Sequence, residues 1–179
     1  AMDLTEKTLS SEKIFDGRII HVRRDIVRLP DGAEAHREVV DHPGGVCVLA
    51  LDDENRALLV SQFRYPYGRV LREVPAGKLE YGEDPTEAAI RELKEETGAV
   101  SADFRFLGEL YPSQGYCGEI IRMYLARDLT FGETHLDADE FLNLERIPFD
   151  QLTEQVLSGE IRDAKTIAAV LKGKLLLGL

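Results

Sequence analysis

Tryptophan is absent from the 179 residues, and cysteine occurs only as Cys47 and Cys117. The two cysteines stand at no metal-ligand spacing, which excludes a zinc finger or ribbon. Cys47 lies inside the apolar run 46–51 and is expected to be buried, so no disulfide is expected. Long hydrophobic runs are missing too. None approaches the roughly 18 residues of a membrane span, and the stretch 3–13 lacks the basic-then-apolar order of a secretory signal. The expectation is a cytoplasmic protein with no membrane partner, and Ala1 ahead of Met2 reads as a cloning remnant. Positive charge is also scarce: 22 Lys and Arg face 33 Asp and Glu, for a net charge of −11. A nucleic-acid binder draws its affinity from basic surface against phosphates, so nucleic acid is excluded as a partner. An acidic chain can still act on a small anion when divalent cations stand between carboxylate and phosphate.

With 44% hydrophobic and 31% charged residues, the composition is that of a globular protein with a real core. The length suits one domain of about 150 residues plus an extension. Residues 13–42 read as β structure, with Ile19, Ile20, Val22, Ile26 and Val27 ahead of a Leu29-Pro30-Asp31-Gly32 turn and Val39-Val40 after it. The runs 46–51 and 57–63 flank Asp52-Asp53-Glu54-Asn55 and predict a hairpin whose first strand is buried. Further strands are expected at 70–74, ended by Pro75-Ala76-Gly77, and at 104–111, 120–126 and 141–147. Helices are expected at about 150–157 and after Asp163. No repeat or linker is visible.

The best-defined element lies between these. Asp84-Pro85-Thr86-Glu87 provides an N-cap, a proline at the first helical position and a glutamate three residues after the cap, and Gly98 provides the stop. This predicts a helix over 85–97. At about 100° per residue, Ala89, Ile90, Leu93 and Thr97 share one arc, expected to pack on the sheet. Glu92, Glu95 and Glu96 share another. Three carboxylates at i, i+3 and i+4 repel one another. They are either a solvated acidic face or ligands for a hard cation, which takes oxygen donors one helical turn apart.

The segment 77–99 decides between these. It reads Gly77, five residues, Glu83, seven residues, Arg91-Glu92-Leu93, one residue, Glu95-Glu96, one residue, Gly98. This resembles the Nudix box, with Ala99 standing where the family usually has a larger aliphatic residue. The resemblance implies an α/β fold, the Nudix α/β/α sandwich with a mixed β-sheet. It also implies a Mg²⁺ site, with Mn²⁺ as the alternative ion, formed by Glu92, Glu95 and Glu96. The main-chain carbonyl of Ala76 or Gly77 would complete the coordination, with Glu83 as an outer ligand or orienting group. Arg91 would pair with box carboxylates and hold them in position.

Outside the box, three stretches resemble the ADP-ribose pyrophosphatase branch: Arg37-Glu38-Val39-Val40-Asp41-His42-Pro43-Gly44-Gly45, Gln62-Phe63-Arg64-Tyr65-Pro66 and Glu73-Val74-Pro75-Ala76-Gly77. Ile161-Arg162-Asp163-Ala164-Lys165-Thr166-Ile167 is similar to that branch as well. The resemblance implies an N-terminal β extension over 2–42 used for dimerisation, a Nudix domain over 43–179, and a homodimer with substrate contacts across its interface. One departure stands in Tyr111-Pro112-Ser113-Gln114-Gly115-Tyr116, where Gln114 replaces the branch's usual proline.

The expected reaction is Mg²⁺-dependent hydrolysis of the pyrophosphate of ADP-ribose to AMP and ribose 5-phosphate. The alternatives are another nucleoside diphosphate sugar, a nucleoside triphosphate, or a non-catalytic nucleotide-binding module. A pyrophosphate needs cations on both sides, and Arg64, with Arg37 from the partner subunit, would supply the side opposite the metal. Arg69 and Arg72 have weaker warrants. Glu73 would hold either substrate or a neighbouring arginine. The attacking water needs activation, which the branch assigns to a carboxylate in a late loop, here Glu140 or Asp139 ahead of Asp137. Glu95 is the box glutamate closest to a catalytic role.

Overall fold

The structure is a computed structural model that describes residues 1–136 and 141–179. The chain forms two compact units, residues 1–44 with 111–120, and residues 45–110 with 121–179.

The first unit is an antiparallel sheet of β1 (Lys7–Asp16), β2 (His21–Arg28) and β3 (Glu34–Asp41), with β2 in the middle. The turn between β2 and β3 closes through Gly32 N–H to Leu29 O at 2.9 Å, with Gly32 at φ +91°. That positive φ is why glycine follows Pro30-Asp31. Strand β1 starts at Lys7 rather than at 13, because its first half has no apolar alternation to mark it and is held by main-chain pairing with β2. Glu12 opposes Arg24 and accepts from it at 2.5 Å. Residues 111–120 join this unit by bonding both sides of Val40, which donates to Tyr116 O at 2.8 Å and accepts from Gly118 N–H at 2.9 Å.

The second unit is built on β4 (Gly45–Ala50), β5 (Arg56–Arg64), β6 (Arg69–Glu73), β7 (Ala76–Lys78), β8 (Ala99–Leu110), β9 (Ile121–Phe131) and β10 (Leu142–Pro148). Its helices are α1 (Pro85–Thr97), α2 (Phe149–Leu157) and α3 (Ala164–Leu177). One sheet runs β7-β4-β9-β8 and is mixed, since β4 and β9 are parallel and the other pairs antiparallel; a second runs β10-β5-β6. Every residue of β4 is buried, the mark of a strand covered on both faces. Its alternate side chains divide accordingly. Cys47 and Leu49, with Leu51 just beyond the strand, pack with Phe149, Leu152 and Val156 of α2 and Ala169 and Val170 of α3. Val46, Val48 and Ala50 pack with Ala88, Ala89 and Leu93 of α1. This period-two partition is the α/β/α layering. Cys47 is fully buried, and that burial pushes its thiol pKa up to about 12.

Three expectations are corrected. The runs on either side of the 52–55 turn do not form a paired hairpin. Beyond a single bridge between Leu51 and Ala57, β4 pairs with β7 and β9 while β5 pairs with β10 and β6. The turn itself is sound, since Asp52 accepts from the main-chain N–H groups of Glu54 and Arg56. Pro75-Ala76-Gly77, expected only to end the strand at 70–74, leads into a strand of its own, with Ala76–Lys78 forming β7 on β4. Ile90 is exposed, and its expected place toward the sheet is taken by Ala88, because a helix close to a sheet admits a small side chain at the edge of the contact. Strands β8 and β9 also run longer than expected, pairing from Ala99–Phe131 to Leu110–Ile121.

Among the described residues, no helix is long and apolar enough to cross a membrane.

Helix α1 begins as expected, with the Asp84 carboxylate accepting from the N–H groups of Thr86 and Glu87 at 2.9 and 3.1 Å. Asp84→Ala should therefore lower stability by about 1 kcal/mol. Urea unfolding checks this, and an unchanged midpoint would mean that packing alone holds the helix start.

Candidate active site

The chemistry-bearing face of α1 is partly inside the protein. Glu92 is 8% exposed and Glu96 3%, while Glu95 is half-buried. Burial of like charges one turn apart is unfavourable unless donors answer them. Arg91 is the principal answer. Its Nη1 reaches Glu92 Oε1 at 3.0 Å and Glu95 Oε2 at 2.8 Å, and its Nε and Nη2 donate to Glu83 Oε1 at 3.2 and 3.1 Å. Burial alone would lower the Arg91 pKa. The adjacent Glu92 charge and the bonds to Glu83 and Glu95 outweigh it and hold the guanidinium above its ordinary value. Glu83 is fixed from its other oxygen by Glu80 N–H at 2.9 Å; that bond, with Arg91, lowers its pKa.

Strand β7 completes the arrangement from the side. Ala76 N–H donates to Glu96 Oε2 at 3.1 Å. Gly77 lies so close to Glu92 that a Cβ there would overlap the carboxyl group, which is the physical need for glycine at the first box position. Glu92, Glu96 and the main chain of Ala76 and Gly77 are thus brought together, with Glu83 and Glu95 joined to them through Arg91. Among the described residues, no three His, Cys, Asp or Glu side chains converge as a ready metal group. An ion entering here competes with Arg91 for Glu92 and Glu95. The donor set is all oxygen, as a hard divalent cation requires, and the glycine cradle admits the carboxylate to the backbone, so these residues fit such an ion.

Arg64, at the end of β5, stands within electrostatic reach of Glu96. Its Nε and Nη2 donate to the two Glu73 oxygens, both at 2.7 Å, in a bidentate pair. Of the two roles open to Glu73, the structure shows the second, holding an arginine. Glu73 is 1% exposed and also receives Lys165 Nζ. Burial alone would raise its pKa, but the Arg64 hydrogen bond and the Lys165 charge override this and hold it ionised. Arg72 is a cross-brace, donating to Glu145, Gln155 and Glu160 at 2.7, 3.0 and 2.9 Å. Arg69 is exposed. Arg37, in the first unit, is paired with Glu6 at 2.6 Å. Asp137, Asp139 and Glu140 lie outside the described residues.

Sequence reasoning missed the roles of Asp163, Lys165 and Thr166. Asp163 caps α3 through Thr166 N–H at 2.9 Å and holds Lys165 Nζ at 3.0 Å, while Thr166 Oγ1 accepts from Val74 N–H at 2.9 Å. The available signal was a lysine in the first turn of a helix, where the macrodipole disfavours a cation.

Comparison with known proteins agrees with this geometry. The model of the NUDIX domain matches residues 41–170, and that of the nucleoside diphosphate sugar hydrolase N-terminal domain matches residues 6–40. A protein of Bacillus subtilis (strain 168) named ADP-ribose pyrophosphatase is 42% identical over 169 residues, covering 93% of this chain and 91% of its own. A protein of Bacillus methanolicus named methanol dehydrogenase activator is also 42% identical, over 167 residues, covering 92% and 90%. The crystal structure of an ADP compounds hydrolase superposes with a TM-score of 0.86 over 99% of this chain and 97% of that one, at 21% identity, a likeness of fold. Hydrolases of the family generally require a divalent metal ion. The box whose glutamates Arg91 gathers against Gly77 thus lies within a matched domain that spans most of the sequence, and the chain belongs to the Nudix family of hydrolases.

Proposed function

We propose that the protein hydrolyses ADP-ribose to AMP and ribose 5-phosphate with Mg²⁺, or Mn²⁺ in its place. The observation that carries the reading is the nearness of an acidic helix face to a held arginine: Glu92 and Glu96 are buried on α1, and the Glu96 charge reaches Arg64. On this reading the two would take a pyrophosphate from opposite sides. The choice of substrate is supported by the B. subtilis relative, matched over nearly the whole chain.

Glu92, Glu95 and Glu96 would hold the ion with the main-chain oxygen of Ala76 or Gly77, and Glu83 would orient the set through Arg91. When bound, the ion supplies positive charge against the phosphate oxygens. Arg64 presents Nη1 to a phosphate oxygen, since Glu73 occupies its Nε and Nη2. A carboxylate among residues 137–140, Glu140 or Asp139, takes a proton from water as the water oxygen bonds to one phosphorus. The bridging P–O bond breaks, and the leaving phosphate carries away its electron pair. The retained box glutamates weigh against a non-catalytic module, and the N-terminal sheet weighs against a compact triphosphate enzyme. Gln114 keeps other nucleoside diphosphate sugars as the second reading.

Assaying ADP-ribose, ADP-glucose, GDP-mannose and ATP with Mg²⁺ should give the highest kcat/KM for ADP-ribose, with AMP as a product. If ADP-ribose is inert while a nucleotide sugar turns over, the substrate is wrong and the clamp stands.

The two carboxylate sets should separate in kinetics. Glu95→Gln and Glu96→Gln should weaken Mg²⁺ binding and lower the rate on the order of 10²-fold or more, because metal charge is worth several kcal/mol. Asp139→Asn or Glu140→Gln should depress kcat and leave Mg²⁺ half-saturation nearly unchanged. Full rate in both loop variants would remove them from the mechanism.

We further propose a homodimer in which the N-terminal β segment crosses to the partner and Arg37 contacts substrate there. Every residue of β1 is exposed, including Leu9, Ile14 and Phe15. A strand with that much bare apolar surface calls for a cover. Sedimentation equilibrium should give a dimer at micromolar concentration, whereas a fully active monomer would refute the shared site.

A further inference from the structure

Lys165 is in an unfavourable place. It sits in the first turn of α3, where the helix macrodipole opposes a cation, and is 9% exposed, so a strongly hydrated ammonium has been taken out of water. Burial alone would lower its pKa, yet the charges of Asp163 and Glu73 more than offset this and keep it protonated. Its ammonium lies between those two carboxylates, bonded to Asp163 Oδ1 at 3.0 Å and to Glu73 Oε2. Glu73 Oε2 is the same oxygen that receives Arg64 Nη2.

We propose that Lys165 is a positioning residue for Arg64: with Asp163 it fixes the Glu73 carboxylate, and Glu73 in turn aims the guanidinium at the substrate phosphate. This rests on the reading of Arg64 as a pyrophosphate contact. The four groups form a cluster of two cations and two anions. Asp163 is itself held by the start of α3, through Thr166 N–H and Thr166 Oγ1 at 2.9 and 2.6 Å. The chain of contacts therefore runs from a rigid helix terminus, through Lys165 and Glu73, to a side chain on a strand end. Without the ammonium, Arg64 becomes the one cation facing two carboxylates. It is drawn toward Glu73 and away from an incoming anion. The loss falls on substrate binding, before and during the reaction alike, so KM rises and kcat holds.

The test is a double-mutant cycle with ADP-ribose on the full-length protein. Arg64→Ala should raise KM on the order of tenfold or more, as loss of a charge-assisted phosphate contact does. Lys165→Met should raise KM several-fold with kcat largely retained, and should add nothing further in the Arg64→Ala background. A purely structural lysine would instead lower kcat through the active fraction, or raise KM equally in both backgrounds, and either result overturns the proposal. If Arg64→Ala leaves KM unchanged, the reading of Arg64 fails on its own measurement and the proposal falls with it. Where Lys165→Met does not fold, Lys165→Gln, which removes the charge and keeps a polar end between the two carboxylates, takes its place in the same cycle. The same KM rise, absent in the Arg64→Ala background, is expected of it, and a wild-type KM overturns the proposal equally.

Discussion

Glu92 and Glu96 are carboxylates taken out of water one helical turn apart, and much of the architecture around α1 exists to make that tolerable. A single guanidinium, Arg91, reaches Glu83, Glu92 and Glu95 at once, and the Ala76 N–H meets Glu96 from the neighbouring strand. For the guanidinium to serve three acids, the loop before α1 must return Glu83 to the helix, and the Glu80 N–H holds it there. For the strand to serve Glu96, β7 must pair with β4, and residue 77 must lack a side chain. The box glycine, the box arginine and the short strand β7 are consequences of one electrostatic constraint.

Arg64 is mounted by a separate device. Its partner Glu73 ends β6, and the following main chain is pinned at Val74 by Thr166 and at Pro75, whose carbonyl accepts from Val48 N–H at 2.9 Å. The 74–76 segment is thus gripped in turn by α3, β4 and α1, with Ala76 already bonded to Glu96. The arginine mount and the glutamate face share this backbone. A shift of either element would move both, which is how a fold keeps opposing charges at a fixed separation around a small anion.

How much of this could be read from sequence depended on whether its cause was local. The ends of α1 were legible because Asp84, Pro85 and Gly98 act within one turn of themselves, and Gly98 does adopt the left-handed conformation at φ +70°. The pairing of Arg91 with box acids was legible only through the resemblance to the Nudix box, since its partner Glu83 lies eight residues away. The partners of β4 and β5 were not, because an Asp52 turn reports that the chain reverses but not which sheet the next strand joins. Strand β1 was missed at its start since residues 7–12 look like a polar tail until β2 is placed beside them, with Arg24 opposite Glu12. The role of Lys165 depends on a contact with Glu73 across 92 residues, and no periodicity carries that.

The two clusters also differ in charge, in a way that matches their separate tasks. Glu83, Glu92 and Glu95 share the one guanidinium of Arg91, and Glu96 takes the Ala76 N–H, so carboxylates outnumber Arg91 on this face of α1. Glu73 and Asp163 face Arg64 and Lys165, and that cluster is neutral. This gathering of acids is local to one face of α1 and is not a by-product of the overall charge of −11. On the function proposed, it is the face that would attract a divalent ion. A neutral cluster with an arginine at its outer edge can accept a phosphate without first expelling a counter-ion, and without the repulsion that an acidic surface would otherwise impose. Under the function proposed, the carboxylate-rich face would draw the metal and the charge-balanced cluster the pyrophosphate, each to its own side.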